Sequence, residues 1–258
     1  MTSTTVQCVL DDRLATITLC RPESGNALDL PTAELLTELV HGLAGRDDVG
    51  AVLLQGQGPM FCAGGDVAAM AAAADPSGFV LTLAQAAHRA ILAFADLEIP
   101  LVVAVQGAAA GAGLALTLVS DLVVAEESAT FLTAYTGIGL TPDCGTSWLL
   151  PQVIGLRRAL ELGLTPRRLS AAEALDWGLI TAVVPDREAG TQARALALRL
   201  AQGPTHAQAR TRSLIRGAVG HSLEHQLDLE AAEISEAVGT AEARSRIAAF
   251  VERSQRRS

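Results

Sequence analysis

Three short segments of this 258-residue chain hold residue types that could do chemistry. The first is Phe61-Cys62-Ala63-Gly64-Gly65-Asp66, after a strand-and-loop unit and before a helical run. The second is Gln106-Gly107-Ala108-Ala109-Ala110-Gly111-Ala112-Gly113, again a strand, then small residues, then a helix. Small side chains let a ligand approach the main chain, and a turn opening into a helix aims amide N–H groups outward. Either segment alone could equally be a tight strand-to-helix turn. The second is not a dinucleotide fingerprint, because its Gly-x-Gly lacks the third glycine in place. The third segment is Thr141-Pro142-Asp143-Cys144-Gly145-Thr146-Ser147-Trp148. It sets one carboxylate just before an apolar helical run, where an aspartate serves as a helix N-cap as readily as a chemical group.

Composition removes other chemistries. The chain contains no lysine, so all 19 basic residues are arginines. That excludes a Schiff-base or pyridoxal lysine, a lysine general base and a P-loop. A net charge of −9 makes a poor general nucleic-acid binder, since phosphate neutralisation supplies most of that affinity. The histidines form no metal-binding spacing; His221 and His225 are one turn apart with no acidic ligand to match. Cys8, Cys20, Cys62 and Cys144 show neither CxxC pairing nor zinc spacing and read as reduced thiols of a cytoplasmic protein. Met1 to Gln7 is polar and uncharged, unlike a secretory signal. No apolar run reaches the roughly 18 residues of a membrane span. Leu101 to Leu118 is interrupted by Gln106, Gly107, Gly111 and Gly113. The expectation is therefore no metal and neither a nucleic-acid nor a membrane partner.

The elements that must position these segments follow from periodicity. Val6–Leu10 and Leu14–Leu19 read as a hairpin turning at Asp11-Asp12-Arg13. Pro31 opens a helix running to about Leu43. Ala51–Leu54, Leu101–Val105 and Leu122–Val124 are short buried strands, and helices are expected over about Ser77–Asp96 and Leu114–Val119. Strands alternating with helices argue for an α/β core with buried parallel strands. From Arg187 to Phe250 only helices follow, three or four of them, so residues 1–186 read as the core and 187–258 as a helical appendage with a frayed basic tail, Arg253–Ser258.

Taken in order, the three segments resemble the enoyl-CoA hydratase/isomerase (crotonase) superfamily. The resemblance runs from Leu19-Cys20-Arg21-Pro22 and Asn26-Ala27-Leu28, through Asp121-Leu122-Val123-Val124-Ala125 and Trp177-Gly178-Leu179-Ile180, to Phe250. It implies a spiral of ββα units followed by a helical region used for trimer formation, in a homotrimer or hexamer. The substrate would be an acyl-CoA thioester, with coenzyme A as part of the substrate and no separate cofactor. The amides of Gly65 and Ala112 would form an oxyanion hole for the thioester oxygen. Arg21, Ala27, Ala63 and Asp66 would lie on the nucleotide side. Phe250 and Arg253 would reach a neighbouring subunit's CoA, with arginine where relatives often carry lysine. His88 would sit on the helix that lines the acyl pocket.

The chain also departs from that pattern. The two glutamates that activate water in the family's hydratases correspond to Ala115 and Tyr135. Alanine cannot serve as a base, and an unperturbed tyrosine, with a pKa of about 10, is a poor one at neutral pH. The remaining carboxylate is Asp143. Gly139-Leu140-Thr141-Pro142-Asp143-Cys144-Gly145 with Trp148-Leu149-Leu150-Pro151 is similar to the 1,2-epoxyphenylacetyl-CoA isomerase branch of phenylacetate degradation, though Thr146-Ser147 replaces the Gly-Thr favoured there. The resemblance implies that Asp143 shuttles one proton between C2 and C4 of a 3-enoyl-CoA, or rearranges the ring epoxide. Leu140 and Trp148 would be its apolar neighbours. Hydration, hydrolysis of an aryl-CoA with Asp143 as nucleophile, and acyl-CoA binding without catalysis are the alternatives.

Overall fold

A computed structural model describes residues 4–256; Met1–Ser3 at the start and Arg257 and Ser258 of the basic tail lie outside the described residues. The N-terminal part is a six-stranded sheet. β1 (Val6–Asp11) and β2 (Leu14–Leu19) form the expected hairpin, with Asp12 and Arg13 at positive φ in its turn. β3 (Ala51–Gly56), β4 (Leu101–Val105), β6 (Leu122–Glu126) and β9 (Ala182–Val184) then add in parallel, in the order β1-β2-β3-β4-β6-β9. Val52, Leu54, Val103 and Val105 point to one side of the sheet, and Leu53, Val102, Ala104 and Val124 to the other. Both faces are buried, which is why these strands are continuously apolar.

The larger core lies on the first side, under α1 (Leu30–His41) and α3 (Pro76–Ala95). Asp29 caps α1 by accepting from Thr32 N at 2.9 Å, and Asp75 caps α3 by accepting from Gly78 N at 3.1 Å. By length and composition α3 is also apolar enough to cross a membrane. Its Leu83, Ala86, Ala90, Ile91 and Phe94, however, are buried in this core.

The second side carries α8 (Ala189–Ala201), and here the structure differs from the expected boundary at residue 187. α8 presses Ala189, Ala193, Ala197 and Ala201 onto the sheet. Alanines spaced by four make a flat helix stripe that approaches a sheet closely. α8 is therefore part of the core, and the chain leaves it only after Ala201. The appendage is α9 (Thr205–Gly217), α10 (Leu223–Val238) and α11 (Ala241–Gln255).

A second, three-stranded sheet, β5-β7-β8, joins β5 (Ala108–Ala110), β7 (Thr130–Leu132) and β8 (Leu169–Ser170). The remaining helices are α2 (Val67–Ala72), α4 (Ala112–Leu118), α5 (Thr146–Ile154), α6 (Leu156–Leu164) and α7 (Ala171–Asp176). The α/β class is as expected. The three-alanine strand β5 is a difference, since that sequence has no β preference of its own. Pairing with Phe131 and Cys62 makes it a strand.

Candidate active site

The first glycine segment is held from behind. Ala63 N donates to Gly25 O at 2.9 Å, Leu28 N to Gly64 O at 2.7 Å and Asp66 N to Leu28 O at 3.0 Å. Buried Asn26 fixes the supporting turn, its Nδ2 donating to Gln57 O and Met60 O, each at 2.8 Å. Arg21 closes the clasp. Its guanidinium donates to Ala27 O and pairs with Asp66 at 3.1 Å and Asp29 at 3.3 Å. Asp66 also caps α2, accepting from Ala69 N at 3.0 Å. That amide and the Arg21 guanidinium hold its carboxyl below the usual carboxylate range.

The second segment lies directly against the first. Cys62 N donates to Ala108 O at 3.1 Å, and Ala110 N to Cys62 O at 3.0 Å. Gly64, at φ 109°, faces Gly111, at φ 52°; a Cβ on Gly111 would come 3.6 Å from Gly64 Cα. Two left-handed backbones in contact admit little besides glycine. Ala112 opens α4 just after Gly111. Among the described residues the amides of Gly65 and Ala112 donate to no acceptor.

The third segment completes a cavity of about 550 Å³, which Gly65, Ala112 and Asp143 all line. Tyr135 Oη donates to Asp143 Oδ1 at 2.6 Å. The N-cap of α5 is Gly145, with no side-chain cap bond, so Asp143 is not the helix cap. Cys144, buried and at φ 51°, donates its amide to His88 Nε2 at 3.1 Å. Burial, then the Asp143 charge, pushes the Cys144 thiol up and keeps it protonated. Ligand-type atoms of His88, Asp143 and Cys144 lie within 4.8 Å of one another, a cluster the sequence spacing did not reveal. The Nε2 lone pair is already taken by the Cys144 amide. Most of the rest of the wall is apolar, including Val67, Met70, Val80, Leu81 and Leu83, with the hydroxyl residues Ser77, Thr133 and Thr141 among it.

Ala63, Tyr135 and Leu140 also border this cavity. Arg21, Ala27 and Asp66 stand behind it as the scaffold of the first loop. Ala115 is fully buried in α4 and does not reach it. Trp148 is 61% exposed on α5 and does not line the cavity, so of the two expected apolar neighbours only Leu140 borders it. Phe250 and Arg253 lie on exposed α11, apart from the cavity. A more polar hollow of about 510 Å³, bordered by Gln55, Gln106, Glu126 and Asp186, contains none of the candidate residues.

Two backbone donors, one carboxylate and a largely apolar wall thus converge on one cavity. The chain belongs to the enoyl-CoA hydratase/isomerase family, whose model matches residues 11–257. It is 39% identical to 1,2-epoxyphenylacetyl-CoA isomerase of Escherichia coli K12 over 83% of each chain. It is 33% identical to 4-chlorobenzoyl coenzyme A dehalogenase-2 of an Arthrobacter species, over 96% of this chain and 90% of that one. A crystal structure titled as an enoyl-CoA hydratase/isomerase, from Mycobacterium abscessus, superposes with a TM-score of 0.93 at 33% identity, over 96% of both chains. The crotonase superfamily and its fold are thereby established.

Proposed function

We propose that this protein is an acyl-CoA isomerase that moves a double bond by proton transfer through Asp143. The observation that carries this reading is the cavity's acid/base inventory. Asp143 is the one carboxylate among its described lining residues. The two places where the family's hydratases keep glutamates hold a buried alanine, Ala115, and a phenol, Tyr135. Hydration needs a group to deprotonate water and another to protonate carbon, whereas a double-bond shift needs one group used twice. Asp143 removes a C2 proton of a 3-enoyl-CoA, the electron pair moving onto the thioester oxygen to give a dienolate. The same carboxylic acid returns the proton at C4, leaving a 2-enoyl-CoA. The amides of Gly65 and Ala112 stabilise the dienolate oxygen, each by about 3–4 kcal/mol in a dry site.

Rearrangement of ring-1,2-epoxyphenylacetyl-CoA is the second substrate of this reading, supported by the named activity of the Escherichia coli relative. The largely apolar wall favours apolar acyl groups. The test is deuterium uptake from D₂O into a panel of 3-enoyl-CoAs. Asp143→Asn is expected to abolish exchange while CoA-ester binding persists; full exchange by this variant sinks the assignment.

His88 favours one rival. To activate water for release of an aryl ester formed on Asp143, the hydrolytic role suggested by the dehalogenase relative, it would first have to give up its bond to the Cys144 amide. Halide release from a halogenated benzoyl-CoA separates the two. By family resemblance the assembly is a trimer or hexamer, a reading supported by the apolar residues that α9, α10 and α11 leave exposed.

A further inference from the structure

We infer that Tyr135 is a positioning residue for Asp143: its hydroxyl fixes one carboxylate oxygen and leaves the other to carry the substrate proton. The inference rests on the isomerase reading only for the identity of that proton. Its geometric basis is the 2.6 Å bond from Tyr135 Oη to Asp143 Oδ1.

The main chain of Tyr135 serves the same end. Its carbonyl accepts from Ile138 N at 3.1 Å and Leu140 N at 3.0 Å, so the loop that leads to Asp143 is tied to Tyr135. At 9% exposure Tyr135 is mostly buried, and a buried hydroxyl needs a partner. The groups around it are the Asp143 carboxylate, the Cys144 thiol and the Thr146 hydroxyl. Burial first, then the Asp143 charge and the hydrogen bond, push the phenol up, so it stays a neutral donor. No cation pairs with Asp143 among the described residues. His88 turns its Nε2 to the Cys144 amide rather than to Asp143. The phenol thus does by hydrogen bonding what an arginine would do by charge. It restrains a carboxylate that would otherwise turn freely at the cavity wall.

Tyr135 is the single tyrosine of the chain, which makes the pair directly readable. The tyrosine doublet in ultraviolet resonance Raman spectra distinguishes a strongly donating hydroxyl from one without an acceptor. The expected result is a strong-donor pattern in the native chain that is lost in Asp143→Ala. An identical pattern in both overturns the inference. In the D₂O exchange assay, Tyr135→Phe is expected to lower kcat by about tenfold to a hundredfold, the scale of a hydrogen bond to a charged group, with KM little changed. Native kcat in Tyr135→Phe overturns it as well. The Raman comparison needs no substrate. A native enzyme inactive on every 3-enoyl-CoA would therefore sink the isomerase reading while the spectrum still decides the Tyr135–Asp143 pair.

Discussion

A proline at position 112 separates the chemical role of an amide from its structural one. Ala112 is the first residue of α4, where no intrahelical bond uses the N–H and where proline's fixed φ suits a helix start. Ala112→Pro is expected to leave the fold and Tm nearly unchanged while deuterium exchange falls by about 10²–10³-fold, the cost of one oxyanion donor. Circular dichroism and the D₂O assay check both halves; exchange at the native rate would remove Ala112 from the site. The two glycine-rich segments were legible in the sequence because small residues leave a visible pattern, whereas the choice of Gly65 and Ala112 within them came from the family resemblance. The partners of Asp143 were not. Tyr135 stands eight positions earlier, across an irregular loop. His88 reaches the amide of Cys144 across 56 positions, and no periodicity encodes such a contact.

The elements that hold the site depend on a knot around Asp121, between α4 and β6. Its carboxylate accepts from Leu101 N at 2.8 Å, from Arg212 Nε at 2.9 Å and from Arg216 at 2.7 Å. Arg212, 9% exposed, also donates to the carbonyls of Phe94, Ala95 and Leu97 at the end of α3. The knot therefore fastens α9 to the helix that walls the cavity. Asp121→Ala leaves the largely enclosed Arg212 guanidinium uncompensated, and a loss of about 3 kcal/mol is expected. Urea unfolding measures that loss, and limited proteolysis should cut faster around Gln202-Gly203-Pro204. Unchanged cleavage and stability would mean that α9 is held by something else. At this scale the strands β3, β4 and β6 were legible as continuous apolar runs. The strands β5, β7, β8 and β9, two or three residues each, are too short to show a period. The alanines of α8 read as an ordinary helix because their partner, the second face of the sheet, is far away in sequence.

The whole molecule is built unevenly, dense in the spiral and open in its last three helices. Among their described residues α9, α10 and α11 bury none, although they carry large apolar side chains. Leu223, Leu227, Ile234 and Val238 follow one another at spacings of four, seven and four, which places them on one face of α10. All four are exposed, as are Ile215 on α9 and Phe250 on α11. Helices of this length gain little stability alone and need an apolar face covered. An exposed apolar helix face of this kind marks an interface. Under the proposed assembly that cover comes from further copies of the same chain, and the position of Phe250 outside its own cavity is compatible with a role toward a neighbour. The native protein is therefore expected to sediment and scatter light as a trimer or hexamer. The double variant Leu227→Glu, Ile234→Glu should shift it to smaller species with lower Tm, because two charges cannot be buried unpaired in an apolar contact. If the native chain is monomeric at micromolar concentration, these faces serve another partner, and the proposed contribution of Phe250 and Arg253 to a neighbouring site falls with the oligomer.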